Sequence, residues 1–309
     1  MDCQKTIKKA FALEGTGLHT GKKVRVTLQP AGPNSGIAFR RVDLEPQVTM
    51  AATADMVVET ARGTTLGKDG AKVATIEHLM SALHGMGVDN VLVELDGEEV
   101  PILDGSARYW VEGIAQSGLE EQDAERRYFR VTEKVTMDGT EKGIRFEAEP
   151  ADDLEVRLTI EFASDVIGRQ EAELKGFDSY AAEVARCRTF VFLHEIAPLL
   201  QLNLIKGGAL DNALVFVDHP LEPKQAEKLA EIYGRSIDCL EVKNGVLNTV
   251  QPYFANEPAR HKLLDFVGDI LLVGGAVKGR FTVSCPGHKN NVLFAQHLRK
   301  MMGEGLNIK

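Results

Sequence analysis

The sequence predicts an α+β protein of two similar domains, each a β-sheet layered with α-helices. Three observations lead there. The chain has 309 residues, past the length at which one core usually keeps growing. Its first stretch alternates apolar and polar side chains as half-buried strands do. Each half runs through strands and then ends helix, strand, helix, a segregated order typical of α+β folds.

The clearest early strand is V-R-V-T-L at 24–28, with turns marked by Gly15, Gly17, Gly21 and A-G-P-N-S-G at 31–36. A helix is expected at 73–86, where Ile76, Leu79, Met80 and Leu83 fall on one face and Gly85 and Gly87 stop it. A strand at 88–95 and a second helix at 106–118 follow. The charged run E-E-Q-D-A-E-R-R at 120–127 reads as a link, giving domains at 1–122 and 127–309. Strands resume at 128–132, 144–148 and 154–162, and 221–233 has the pattern of a surface helix. A helix at 258–273, a strand at 278–284 and a helix at 289–302 close the chain.

A formal charge of −9 argues against a nucleic-acid partner. The longest apolar run, 270–277, contains two glycines and is far too short to span a bilayer. Cys3, Cys187, Cys239 and Cys285 are scattered without C-x-x-C spacing, and no apolar leader opens the chain. A cytoplasmic protein with reduced thiols is therefore expected. Nothing in the pattern sets an oligomeric state.

The densest chemistry lies in R-H-K-L-L-D-F-V-G-D at 260–269. On a helix His261, Asp265 and Asp269 share an arc of about 80°, while the rest of the segment is apolar. A His and a carboxylate four apart make half of a metal site; a solvated face or an internal ion pair is the plainer alternative. T-I-E-H-L at 75–79 adds Glu77 and His78, which diverge on a helix, so one can bind a metal while the other reaches a water bound to it. His288, in C-P-G-H-K-N-N, sits at a helix start after a strand; as a general acid it needs a carboxylate, and Asp269 is available. R-C-R-T-F at 186–190 offers the Thr189 hydroxyl. G-T-G-L-H-T-G at 15–21 leads into a strand and is not a phosphate loop. H-E-I-A-P at 194–198 has Pro198 where a zincin needs its second histidine. His84, His219 and His297 read as structural or solvated, and His19, in the turn before a strand, stays undecided.

Taken in order, T-I-E-H-L, I-L-D-G-S-A at 102–107, R-T-F, K-G-G-A-L-D-N-A at 206–213, H-K-L-L-D-F-V-G-D and G-H-x-x-N span almost the whole chain. This set resembles the UDP-3-O-acyl-N-acetylglucosamine deacetylases, zinc amidases early in lipid A synthesis. The resemblance implies two α+β domains with the metal in the cleft between them, and an insert in the second domain that forms the passage for the acyl chain. It implies that His78, His261 and Asp265 bind Zn2+, with Fe2+ served by the same donors. Glu77 would act as base, Thr189 as an oxyanion donor, and His288, oriented by Asp269, as acid to the leaving amine. Lys262 would lie near the sugar or diphosphate, Phe190 along the acyl route and Phe162 near the uracil. The substrate is a UDP-linked acylated amino sugar. Two features depart from the family. Cys285 and Pro286 stand where a basic residue is expected, and the stretch from Thr189 to His261 is long, with an extra segment near 218–243. Two rivals share the donor set: a non-catalytic UDP-sugar-binding relative, and a ferrous oxygenase in which Glu77 would have no role.

Overall fold

A computed structural model of the chain describes residues 2–201, 205–209, 211–219, 227, 241–247 and 250–303. The first half comprises β1 (Cys3–Ile7), β2 (Phe11–Thr16), β3 (Lys23–Pro30), β4 (Ile37–Arg41), β5 (Val48–Ala51), β6 (Val57–Glu59), β7 (Thr65–Lys68), β8 (Ala71–Val73), α1 (Glu77–Gly85), β9 (Val91–Leu95) and α2 (Arg108–Ser117). After β10 (Leu119–Glu125) and β11 (Tyr128–Arg130), the second half continues with β12 (Val135–Asp138), β13 (Arg145–Glu149), β14 (Leu154–Glu161), β15 (Arg169–Lys175) and α3 (Tyr180–Glu183). Then come β16 (Phe190–Phe192), α4 (Leu193–Gln201), β17 (Leu214–Phe216), β18 (Val242–Lys243), β19 (Val246–Leu247), α5 (Glu257–Ile270), β20 (Ala276–Ser284) and α6 (His288–Gly303).

The main sheets have the orders β2-β3-β9-β4-β5 and β12-β13-β20-β14-β15, and β11 adds to β20. In both, the strand that comes last in the chain lies at the centre, antiparallel to the second strand and parallel to the third. A parallel neighbour requires a crossover. The route from the fourth strand to the central one runs through α1 in one half and α5 in the other. The same interval also holds a small extra sheet in each half, β6-β7-β8 and β16-β17-β19-β18. The two halves thus repeat one α+β topology, although their side chains are too different for sequence to establish it. Buried apolar residues of both halves join in one continuous core that runs from Ile7 to Leu298.

The run at 120–127, expected as a link between the halves, is largely strand: Leu119–Glu125 pairs antiparallel with β1, its acidic side chains turned to solvent. One expectation needs correction. The first helix begins at Glu77 rather than near 73, because Ala71–Val73 is a strand and Thr75 adopts a left-handed φ of 57° that no helix carries. The 221–233 helix lies outside the described residues apart from Glu227, and of 237–243 only Glu241–Lys243 is described, with Val242–Lys243 as an edge strand. No helix among the described residues is long and apolar enough to cross a membrane.

Candidate metal centre and cavity

α1 and α5 pack directly against each other, and Gly268 permits the close approach: a Cβ there would collide with the Glu77 carbonyl oxygen. At the other end of α1, the His84 Nδ1–H donates to the Val267 carbonyl (2.9 Å). Burial pushes the His84 pKa down to about 4, so this histidine is a neutral structural strut. α1 is buried from Glu77 to His84, and α5 is buried along nearly all its length. The polar residues on their facing sides are therefore shielded from bulk water and must find partners in one another.

They do so around Asp265. Its Oδ1 lies 3.3 Å from His261 Nε2 and 3.6 Å from His78 Nε2. One donor atom from each of these three residues lies within 4.8 Å of the others. The His261 Nδ1 faces the Cys187 carbonyl at 3.0 Å; a carbonyl only accepts, so Nδ1 carries the proton and Nε2 keeps a lone pair. Burial drives the His261 pKa down to about 3, against the pull of Asp265. Burial would raise the Asp265 carboxyl, but His261 and Lys262 outweigh it and hold it well below the carboxylate range. Lys262 is the permanent charge of the two, its Nζ donating to Asp265 Oδ2 at 2.9 Å. Among the described residues, Oδ1 is buried with no hydrogen-bond partner. A buried acceptor facing the His261 Nε2 lone pair and a second imidazole calls for a cation among them, and the donor set fits a divalent metal.

Glu77 and His288 line the same cavity as this centre. Burial raises the pKa of Glu77, partly opposed by His288 and His78, and its Oε2 accepts the Thr64 backbone N–H at 2.9 Å. His288 opens α6, with Nδ1 3.0 Å from Asp269 Oδ2. Burial alone would lower its pKa; the charges of Asp269 and Glu77 and the Asp269 hydrogen bond prevail and hold it at about 9. Asp269 also accepts from Thr64 Oγ1 (2.7 Å) and Asn291 Nδ2 (2.9 Å). Asn291 explains the final Asn of G-H-x-x-N: three residues beyond His288, it reaches the same carboxylate from the same helix turn.

These groups open on a cavity of about 260 Å³ whose lining includes Glu77, His78, His261, Asp265 and His288, and also Thr189, Phe190 and Lys262. Its lining also takes apolar side chains from β16, α4 and β17, among them Ile196, Leu199 and Val215, with Glu195 beside them. Phe162 is not part of that wall; it packs edge-on against Phe190 and Phe192. The rim contains two residues that periodicity gave no means of choosing, His19 and Arg62. Glu99 fixes the turn carrying His19, accepting the backbone N–H groups of His19 and Thr20 (2.9 and 2.8 Å). Both His19 ring nitrogens are buried without a hydrogen-bond partner among the described residues. The motif at 206–213 closes against this turn: Gly207 N donates to the Leu18 carbonyl, and Asn212 bonds Gly207 and Ala209. Gly105 passes so close to the Asn212 carbonyl that a Cβ would collide with it.

Comparison with known proteins gives the same direction. The LpxC family, UDP-3-O-acyl N-acetylglycosamine deacetylase, matches residues 4–232 and 224–300. The chain is 43% identical over 298 residues to the bifunctional enzyme LpxC/FabZ of Bacteroides thetaiotaomicron, covering 96% of this chain and 64% of that protein. It is 42% identical to the counterpart in Porphyromonas gingivalis, of which it covers 65%. It therefore spans a little under two thirds of these bifunctional relatives. A UDP-3-O-acyl-N-acetylglucosamine deacetylase of Myxococcus xanthus is 40% identical over 303 residues, with 97% of this chain and 87% of that protein covered.

Proposed function

Because the chain belongs to the UDP-3-O-acyl N-acetylglycosamine deacetylase family, we propose that it hydrolyses the N-acetyl group of UDP-3-O-acyl-N-acetylglucosamine. The products are acetate and the free amino sugar, at an early step of lipid A biosynthesis. The observation that supports this most is the unpartnered Asp265 Oδ1 between two imidazoles, in one cavity with a buried carboxylate and a protonated histidine. His78, His261 and Asp265 are the ligands, and zinc is the metal, with ferrous iron acceptable to the same donors. Bound there, the metal supplies the positive charge that acidifies a water and polarises the amide carbonyl.

The chain's own groups do the rest. Glu77 takes the proton of the attacking water; its raised pKa makes it a better base than an exposed glutamate. The Thr189 hydroxyl donates to the oxygen on which negative charge develops. His288, charged through its contact with Asp269, gives a proton to the departing amine, which would otherwise be a poor leaving group. Lys262 lies beside the sugar. The acyl chain runs along Phe190 toward Ile196, Leu199 and Val215, where each buried methylene contributes about 0.8 kcal/mol. Free Cys3, Cys187 and Cys285 support a reducing, cytoplasmic setting.

The test is acetate release from the UDP-sugar by the purified full chain. Turnover that stops with a chelator and returns with zinc is the expected outcome. Release untouched by exhaustive chelation, or no release from metal-loaded protein, would overturn it.

A further inference from the structure

Arg62 stands on the cavity rim, exposed, at a left-handed φ of 60°. Arginine is disfavoured in that conformation relative to glycine or asparagine. Among the described residues its side chain makes no hydrogen bond, ion pair or ring contact, so the fold gains nothing visible from holding a guanidinium there. The backbone around it is firmly placed. A Cβ at the next residue, Gly63, would lie 3.0 Å from Glu77 Oε1. Thr64 then bonds Glu77 through its N–H and Asp269 through its hydroxyl. The arginine is thus tied to the reacting end of the cavity through two residues of turn. The other positively charged side chains in the lining are engaged: Lys262 donates to Asp265 and His288 is held by Asp269. Among the described residues of the lining, Arg62 is the uncommitted cation.

We propose that Arg62 anchors the substrate's diphosphate, its guanidinium donating to phosphate oxygens while the amino sugar lies over Glu77. The planar fork of arginine suits two phosphate oxygens at once, which a lysine ammonium cannot match. The assignment rests on the deacetylase reading above. It makes the rim discriminate between ligands, since a UDP-sugar is held and a neutral acyl amino sugar of the same shape is not.

Arg62→Asn removes the charge and keeps a residue that tolerates the backbone angle; Arg62→Lys keeps the charge without the fork. Zinc-loaded full chain is titrated calorimetrically with UDP and with uridine, and steady-state kinetics are measured on the UDP-sugar. The expected result is UDP binding about tenfold weaker in Arg62→Asn, the weight of one charge-assisted hydrogen bond, with uridine binding unchanged and Arg62→Lys intermediate. KM should rise by a similar factor while kcat holds. Equal UDP affinity and KM in parent and Arg62→Asn, with acetate still released, overturns the anchor and leaves the deacetylase reading intact. No acetate release by the parent overturns that reading and the anchor with it.

Discussion

Asp269 shows how one buried carboxylate sets the chemistry of its neighbours. It accepts from Thr64, Asn291 and His288 at once, so its charge is delocalised over three donors and the His288 proton is held up to about 9. If His288 is the acid, turnover needs its protonated form, present below about pH 9, and the ionised form of Glu77, present above that residue's raised pKa. Activity should therefore climb through the range above ordinary glutamate and fall as pH passes about 9. His288→Gln should abolish the alkaline fall and lower kcat by about a hundredfold, as a pH–rate profile will show. Glu77→Gln should cost about two to four orders of magnitude in kcat, yet leave metal content unchanged by elemental analysis, because Glu77 is not in the ligand set. A parallel loss of metal would refute that division of labour. The stripe of His261, Asp265 and Asp269 was legible in the sequence because a few polar residues on an otherwise apolar helix stand out. Thr64, Arg62 and Glu99 were not, because they sit in turns and a β-bridge, where no period marks a side chain's direction.

The decisive element is the pair α1 and α5. Hydrophobic spacing located both helices but placed the start of α1 several residues early, since the apolar residues of β8 continue the same count. The true start puts Glu77 and His78 in the first turn of α1. The fit of the pair depends on Gly268, whose missing side chain leaves room for the Glu77 carbonyl and the Ser81 amide. Gly268→Ala should force the helices apart. We expect a loss of about 1–3 kcal/mol in unfolding free energy by denaturant titration, together with a fall in metal affinity larger than that of an equally destabilising substitution in the β12–β15 sheet. The charged run at 120–127 did not show its strand for a related reason: composition marks what faces water, and a strand can face water along one whole side.

At the level of the whole molecule, the sequence supported two similar units but could not show how they are related. The shared strand order, with the last strand inserted at the centre of each sheet, is a property of the backbone and leaves little trace in side chains. α1 and α5 occupy the same place in the two copies, and the donor set draws His78 from one and His261 with Asp265 from the other. Neither copy holds all three donors. Joining the copies in one polypeptide turns what would be an encounter between two molecules into an internal folding step, with the partner helix always at high local concentration. Specific activity should then stay constant as the protein is diluted through the nanomolar range, measured at fixed free zinc. The covalent repeat also frees the two helices from symmetry: one carries Glu77 and a single imidazole, while the other carries His261, Asp265 and the Asp269 carboxylate that bonds His288, a specialisation closed to a dimer of identical chains.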